Sequence, residues 1–316
     1  MPHSVSLINT IAAGLGLALI LGFLAAKVRL PALVGYLVAG VIIGPFTPGF
    51  VADVGIAAQL AEIGVMLLMF GVGLHFSLDD LLSVRKIALP GAVVQMAVAT
   101  LMGVGMAMWW WDWSFGASLV FGVCLSVAST VVLLRAMEER RLLETLRGRI
   151  AVGWLIVEDL VMVLALVLLP VLADIYTDRG GDTPPGAGAI ALMILWTLVK
   201  VSAFVAVMLL VGRRVIPWVL ERIAGTGQRE LFTLSVLAIA LGVAFGSAML
   251  FGVSFALGAF FAGMLLNESE LSHKAASDSL PLRDAFAVLF FVSVGMLFNP
   301  GILIEHPWQV LATAGI

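Results

Sequence analysis

Charge and cysteine are what this sequence has least of. Only 12% of its 316 residues are charged, and Cys124 is its single cysteine. One thiol excludes an internal disulfide framework, and between Val123 and Leu125 it reads as packing. So small a share of charge excludes a soluble domain, where about a quarter of residues are charged. The net charge of −3 at pH 7 comes with acids such as Asp53, Asp112, Asp174, Asp178 and Asp182 in loops, and gives no hint of nucleic acid binding. What is there instead is apolar: 62% hydrophobic residues and a mean hydropathy of +1.14. The class is integral membrane protein.

Apolar runs of about 17 to 25 residues, broken by charged or Pro/Gly clusters, predict ten spans and the start of another. They cover residues 5–26, 30–51, 56–76, 87–111, 115–137, 149–173, 187–211, 230–250, 253–267, 284–299 and 306 onward. No basic stretch precedes the first run, and it is long enough to cross, so it reads as a retained helix rather than a cleaved signal. The last run is too short to cross about 30 Å of hydrocarbon, which predicts a chain cut within a helix.

Lys and Arg set the orientation, because cytoplasmic loops retain positive charge. Fifteen of the 17, from Lys27 and Arg29 to Lys274 and Arg283, fall on one side, Arg179 falls on the other, and Lys200 lies within a span. The expectation is an outside N-terminus in a bacterial inner membrane, with the charged loops in the cytoplasm.

Two adjacent acids, Glu158 and Asp159, sit at the middle of the sixth span. A charge at the bilayer centre costs about 2.5 to 3.5 kcal/mol on insertion scales, so such a pair persists only where water, a cation or protons neutralise it. A site poised between bound proton and bound cation exchanges one for the other. Neighbouring helix positions lie about 100° apart, so the two acids do not face one cavity directly. Asp159 is the candidate carrier and Glu158 its partner or second proton site. In the fifth span Ser126, Ser129 and Thr130 provide hydroxyls that replace backbone partners where a helix is interrupted, although Ser and Thr also bond back to their own helix.

The sequence also repeats itself. Gly35-Tyr-Leu-Val-Ala39-Gly40 matches Gly258-Ala-Phe-Phe-Ala262-Gly263 at an offset of 223, and Val72-Gly73 matches Val294-Gly295 at 222. Leu17-Ala18 and Leu21-Gly22 against Leu237-Ala238 and Leu241-Gly242 add weaker support. Each match joins spans seven apart, and an odd separation inverts one half relative to the other, as in secondary transporters with a midplane site. The first repeat is read as residues 5–173, the linker helix as 187–211 and an incomplete second repeat as 230–316. Counterparts of spans four to six are expected beyond Ile316.

The remaining polar groups read as structural. Lys200 packs or snorkels from the linker helix. Glu62 is a cap or funnel charge near the outside, and His75 is polar trim at a cytoplasmic helix end. Glu138, Glu139, Arg140 and Arg141 read as a solvated loop face. Trp109, Trp110, Trp111 and Trp113 form an interfacial belt.

As an ordered set, several motifs resemble the Kef-type monovalent cation:proton antiporter family, close to its YbaL branch. They are Leu33-Val34-Gly35-Tyr36-Leu37 with Gly44-Pro45, Phe70-Gly71-Val72-Gly73-Leu74, Leu125-Ser126 through Ser129-Thr130, Glu158-Asp159, Phe255-Ala256-Leu257-Gly258-Ala259-Phe260, and Phe290-Phe291 with Gly295-Met296. The resemblance implies an all-α, inverted-repeat, sodium/proton-antiporter-like bundle of thirteen spans, with a dimer-forming panel and a moving core. In it Asp159 binds ion or proton by alternating access beside broken helices, the first at residues 126–130. It implies monovalent cation and protons as partners, potassium more than sodium, in a homodimer among membrane lipid. It implies no cofactor within this chain, a nucleotide belonging only to a regulatory domain past its end.

The sequence departs from that family pattern in places. Relatives often carry Asp, Asn or Gln where Glu158 stands, which leaves the ion-to-proton ratio open. A family lysine on the eleventh span would fall past Ile316. The possible regulatory stretch at 272–278 keeps His273 and Asp278 but lacks the motif's middle acid, so control by glutathione conjugates is not carried over. An efflux channel is the competing class, but it favours a pore loop or a ring of acids. An intramembrane aspartyl protease needs a second mid-span Asp, and none is present, so no enzyme activity is expected.

Overall fold

The computed structural model describes residues 4–74, 78–177, 187–267, 269 and 272–316, and all regular structure among them is helical. The helices are α1 (Ser4–Lys27), α2 (Ala32–Ile43), α3 (Val54–Gly73), α4 (Leu78–Trp110), α5 (Phe115–Leu125), α6 (Thr130–Glu139) and α7 (Leu146–Thr177). Next come α8 (Ala187–Val207), a π-turn at Met208–Gly212 and α9 (Arg213–Ala224), then α10 (Arg229–Phe251), α11 (Phe255–Asn267) and α12 (Ser272–Met296). Two short pieces follow, α13 (Ile302–Glu305) and α14 (Pro307–Ala314).

Local chemistry sets the breaks. Asp53 opens α3 by accepting the Ile56 N–H at 3.0 Å, and Ser114 opens α5 by accepting that of Ala117. Gly252 ends α10 in the left-handed conformation, φ +69°, which glycine adopts without steric penalty.

By length and composition, five described helical stretches suffice to cross a membrane: 6–27, 54–73, 82–110, 195–224 and 229–251. The bounds of several helices differ from those of the apolar runs. The run at 30–51 yields only α2, 12 residues and about 18 Å of helix, because Gly44-Pro45 and Pro48-Gly49 stop it. The run at 187–211 continues to Ala224, and that at 284–299 begins at Ser272, so polar turns extend helices past their apolar parts.

The packing falls into two groups. α3 lies against α11 and α12, α2 against α1 and α12, and α10 against α11, while α4 packs on α5 and α7. Between the groups runs an apolar seam, where Met69 of α3 and Leu257 and Phe260 of α11 face Leu134 of α6 and Val152 and Leu155 of α7.

Four of the glycines paired by the offset, Gly40, Gly73, Gly263 and Gly295, make close backbone approaches. A Cβ built on Gly40 would lie 2.8 Å from the Cα of Gly295, and one built on Gly73 would lie 3.1 Å from the Cα of Gly263. The matched residues thus meet crosswise, α2 on α12 and α11 on α3. Small residues admit this backbone contact, which dispersion and packing reward in lipid.

Candidate ion and proton site

The fifth apolar run folds as two helices, α5 and α6, with residues 126–129 outside either. Serine chemistry marks both edges of the gap. The Ser126 hydroxyl donates to the Val123 carbonyl at 2.8 Å and its N–H reaches the Gly122 and Val123 carbonyls, closing α5. Ser129 reopens the chain as α6, its Oγ accepting the Val132 N–H at 3.4 Å. Side chains from other helices meet two of the backbone groups in this gap. Gln95 of α4 donates from Nε2 to the Ser126 carbonyl at 2.9 Å, and the Ala128 N–H donates to Glu158 Oε2 of α7 at 3.0 Å.

The two acids part company at this point. Glu158 is 1% exposed, is held also by the Trp154 side chain, and borders a groove of about 450 Å³ that Gln95, Ala128, Arg147 and Trp154 line. Asp159 turns to the seam instead, into a small void among Met69, Thr130, Leu134, Leu257 and Phe260 with room for about one water molecule. The Thr130 side chain hydrogen-bonds to the Asp159 carboxyl. Asp159 therefore sits between the two helix groups, with a hydroxyl at the start of α6 beside it and apolar side chains lining the rest of the void. Oxygen ligands of this kind suit a hard monovalent cation or a proton equally.

Of the predicted residues, Thr130 joins Asp159, and Ser126 and Ser129 frame the gap with their hydroxyls engaged by backbone. His273 and Asp278 stand in the first two turns of α12, their side chains outside the described residues, as is all of His75. Lys200 lies 5.9 Å from the Trp196 ring centre, a packing contact. Among the described residues no three His, Cys, Asp or Glu cluster as a metal site.

One expectation is overturned. Glu138 is not part of a solvated loop face: its Oε1 lies 3.0 Å from Nη2 of Arg283, whose side chain is only 5% exposed. Arg283, counted among the loop cations, is inside α12, with its Cδ where a Cβ on Gly71 would clash at 2.9 Å. The linear sequence hides this because the partners are 145 positions apart. Gln95 was also missed, although a lone amide midway along an apolar span was a signal within reach.

The family profile described as "Sodium/hydrogen exchanger, transmembrane" matches residues 15–316. The chain belongs to that family. It is 65% identical, over all of its length, to the "Putative cation/proton antiporter YbaL" of Escherichia coli (strain K12), covering 56% of that protein. It is 35% identical over 301 residues to the "Glutathione-regulated potassium-efflux system protein KefC" of Enterobacter sp. (strain 638), covering 94% of this chain and 46% of that one. The chain thus spans about half the length of these two relatives. It also matches, at 64% identity over 278 residues, the whole of a protein of Methylorubrum extorquens described as "Uncharacterized protein in phaC 3'region". The Kef-type resemblance drawn from the motifs stands. Among solved structures, the sodium proton antiporter MjNhaP1 from Methanocaldococcus jannaschii aligns with a TM-score of 0.56 at 16% identity, over 98% of this chain and 75% of that one. That likeness gives the fold of the exchanger family members.

Proposed function

We propose that the chain exchanges a monovalent cation for protons by alternating access, with Asp159 as the shared binding carboxylate. The observation that carries this is the place of Asp159: an acid at mid-helix, on the seam between two helix groups, with the Thr130 hydroxyl on it and space for about one water beside it. A sliding of α4–α7 against the remaining helices would open that void to one side and then the other. The crosswise glycine contacts support an inverted duplication, residues 5–173 against 230–316 with 187–211 as linker. Ser126, Ser129 and Glu158 shape the interrupted helix around the carrier. The name of the KefC relative favours potassium over sodium. The proposal includes a homodimer in the bacterial inner membrane with the N-terminus outside, no enzymatic chemistry and no cofactor bound by this chain.

The test is the native-length protein in proteoliposomes loaded with acid and a pH dye. Addition of potassium or sodium is expected to collapse the proton gradient, and Asp159→Asn to abolish that response. A fully active Asp159→Asn protein removes the mechanism. A response that follows membrane voltage without counter-movement of protons makes the chain a channel.

A further inference from the structure

We infer that Gln95 is a positioning residue for the exchange: by holding the Ser126 carbonyl it sets the interrupted segment, and with it Thr130, against Asp159. The inference rests on the exchange reading above. Gln95 lies in the apolar stretch of α4, where an amide without a purpose is expensive to keep. Its Nε2 spends a hydrogen bond of 2.9 Å on the carbonyl that the interruption leaves free. This fixes which way the amide is turned, since a carbonyl accepts only from the NH₂ end. Its Oε1 is then buried with no partner among the described residues, a cost tolerated where the donor end is needed.

The segment at residues 126–129 is pinned at three points. Gln95 holds its first residue through the Ser126 carbonyl, Glu158 holds its middle through the Ala128 N–H, and the Ser129 cap fixes its junction with α6. Thr130 follows at once, carrying the hydroxyl that meets Asp159. Only three residues separate Ser126, where Gln95 anchors the segment, from Thr130, so releasing the anchor lets the hydroxyl drift from the carboxylate. A shift of this kind weakens cation binding more than it slows the carrier's turnover, because the moving helices and the carboxylate itself remain.

The experiment is cation titration in proteoliposomes with the native-length protein, comparing wild type, Gln95→Met and Gln95→Glu at several pH values. Asp159→Asn is the control for the reading itself: if wild type shows no cation-driven proton flux, or the control stays active, the exchange reading fails whatever Gln95 does. With that control in place, Gln95→Met, similar in length and without a donor, is expected to raise the apparent KM about tenfold and change kcat less than about twofold, the loss of one hydrogen bond to a site-forming group. The carboxyl introduced by Gln95→Glu donates only when protonated. Its KM relative to wild type is expected to stay near one at acid pH and to rise with pH. An unchanged KM in Gln95→Met, or a KM ratio for Gln95→Glu that is flat across pH, overturns the inference. Should Gln95→Met fail to insert, the pH course of Gln95→Glu still decides it.

Discussion

Arg283 of α12 and Glu138 at the end of α6 form an ion pair of 3.0 Å that joins the two helix groups on the side of the seam toward the α6 C-terminus. Arg283 also reaches its neighbour Asp284 at 3.1 Å, so the guanidinium lies between two carboxylates. A helix shift at the seam must stretch or break the contact with Glu138. Breaking a fully buried pair costs about 3 to 5 kcal/mol and an exposed one under about 1, so Arg283→Gln is expected to cost on the order of 2 kcal/mol. Thermal unfolding of the detergent-solubilised protein reads that loss. The double variant Arg283→Glu with Glu138→Arg should recover part of it, Asp284 then facing a like charge; no recovery would mean that the pair is incidental.

The crosswise glycines give a sharper stability prediction. Alanine at Gly40, Gly263 or Gly295 would push a methyl into the backbone of the facing helix. Each is expected to destabilise by about 1 to 3 kcal/mol, the range for overpacking. Gly242 and Gly246 in α10 have nothing within 4 Å of a built Cβ, and alanine there should be neutral or slightly stabilising through helix propensity. Unfolding curves that fail to separate these two sets would contradict the contacts.

Much of this was legible in the residues, for identifiable reasons. Apolar runs, the acid doublet and the serine-rich break are local signals, and a helix's 3.6-residue period already separates Glu158 from Asp159 by about 100°. Helix ends were less legible: α2 is short because prolines and glycines truncate an apolar run, while α9 and the start of α12 are polar helix that hydropathy does not see. The Arg283 to Glu138 pair was invisible because it depends on which helices adjoin. Gln95 was visible as an oddity but not as an anchor, since its acceptor is a backbone carbonyl exposed only by the break in the next helix.

Thr130 gives the first test at the site. Its side chain is the polar neighbour of Asp159 in the void. Thr130→Ala is expected to raise the apparent KM for the cation about tenfold, in line with a hydrogen bond to a charged group, whereas Thr130→Ser should stay within about threefold of wild type. Ser126→Ala removes only a bond to its own helix and should change little. Equal effects at Thr130 and Ser126 would show that general loosening of the segment, rather than contact with Asp159, governs affinity.

Glu158 decides whether the doublet is one site or two. Its carboxylate accepts the Ala128 N–H from within the groove behind α7, while Asp159 faces the seam, so their tasks differ although they are neighbours. In Glu158→Gln the amide oxygen still accepts from Ala128, the fold is kept, and exchange is expected to persist at a reduced or altered level. In Glu158→Leu the Ala128 N–H loses its acceptor at a cost of about 1 to 3 kcal/mol, and both thermal stability and cation affinity should fall. The ordering expected in flux assays is wild type, then Glu158→Gln, then Glu158→Leu, with Asp159→Asn inactive. A Glu158→Gln protein as dead as Asp159→Asn, yet equally stable to heat, would make the charge of Glu158 part of the carrier and refute its role as an anchor.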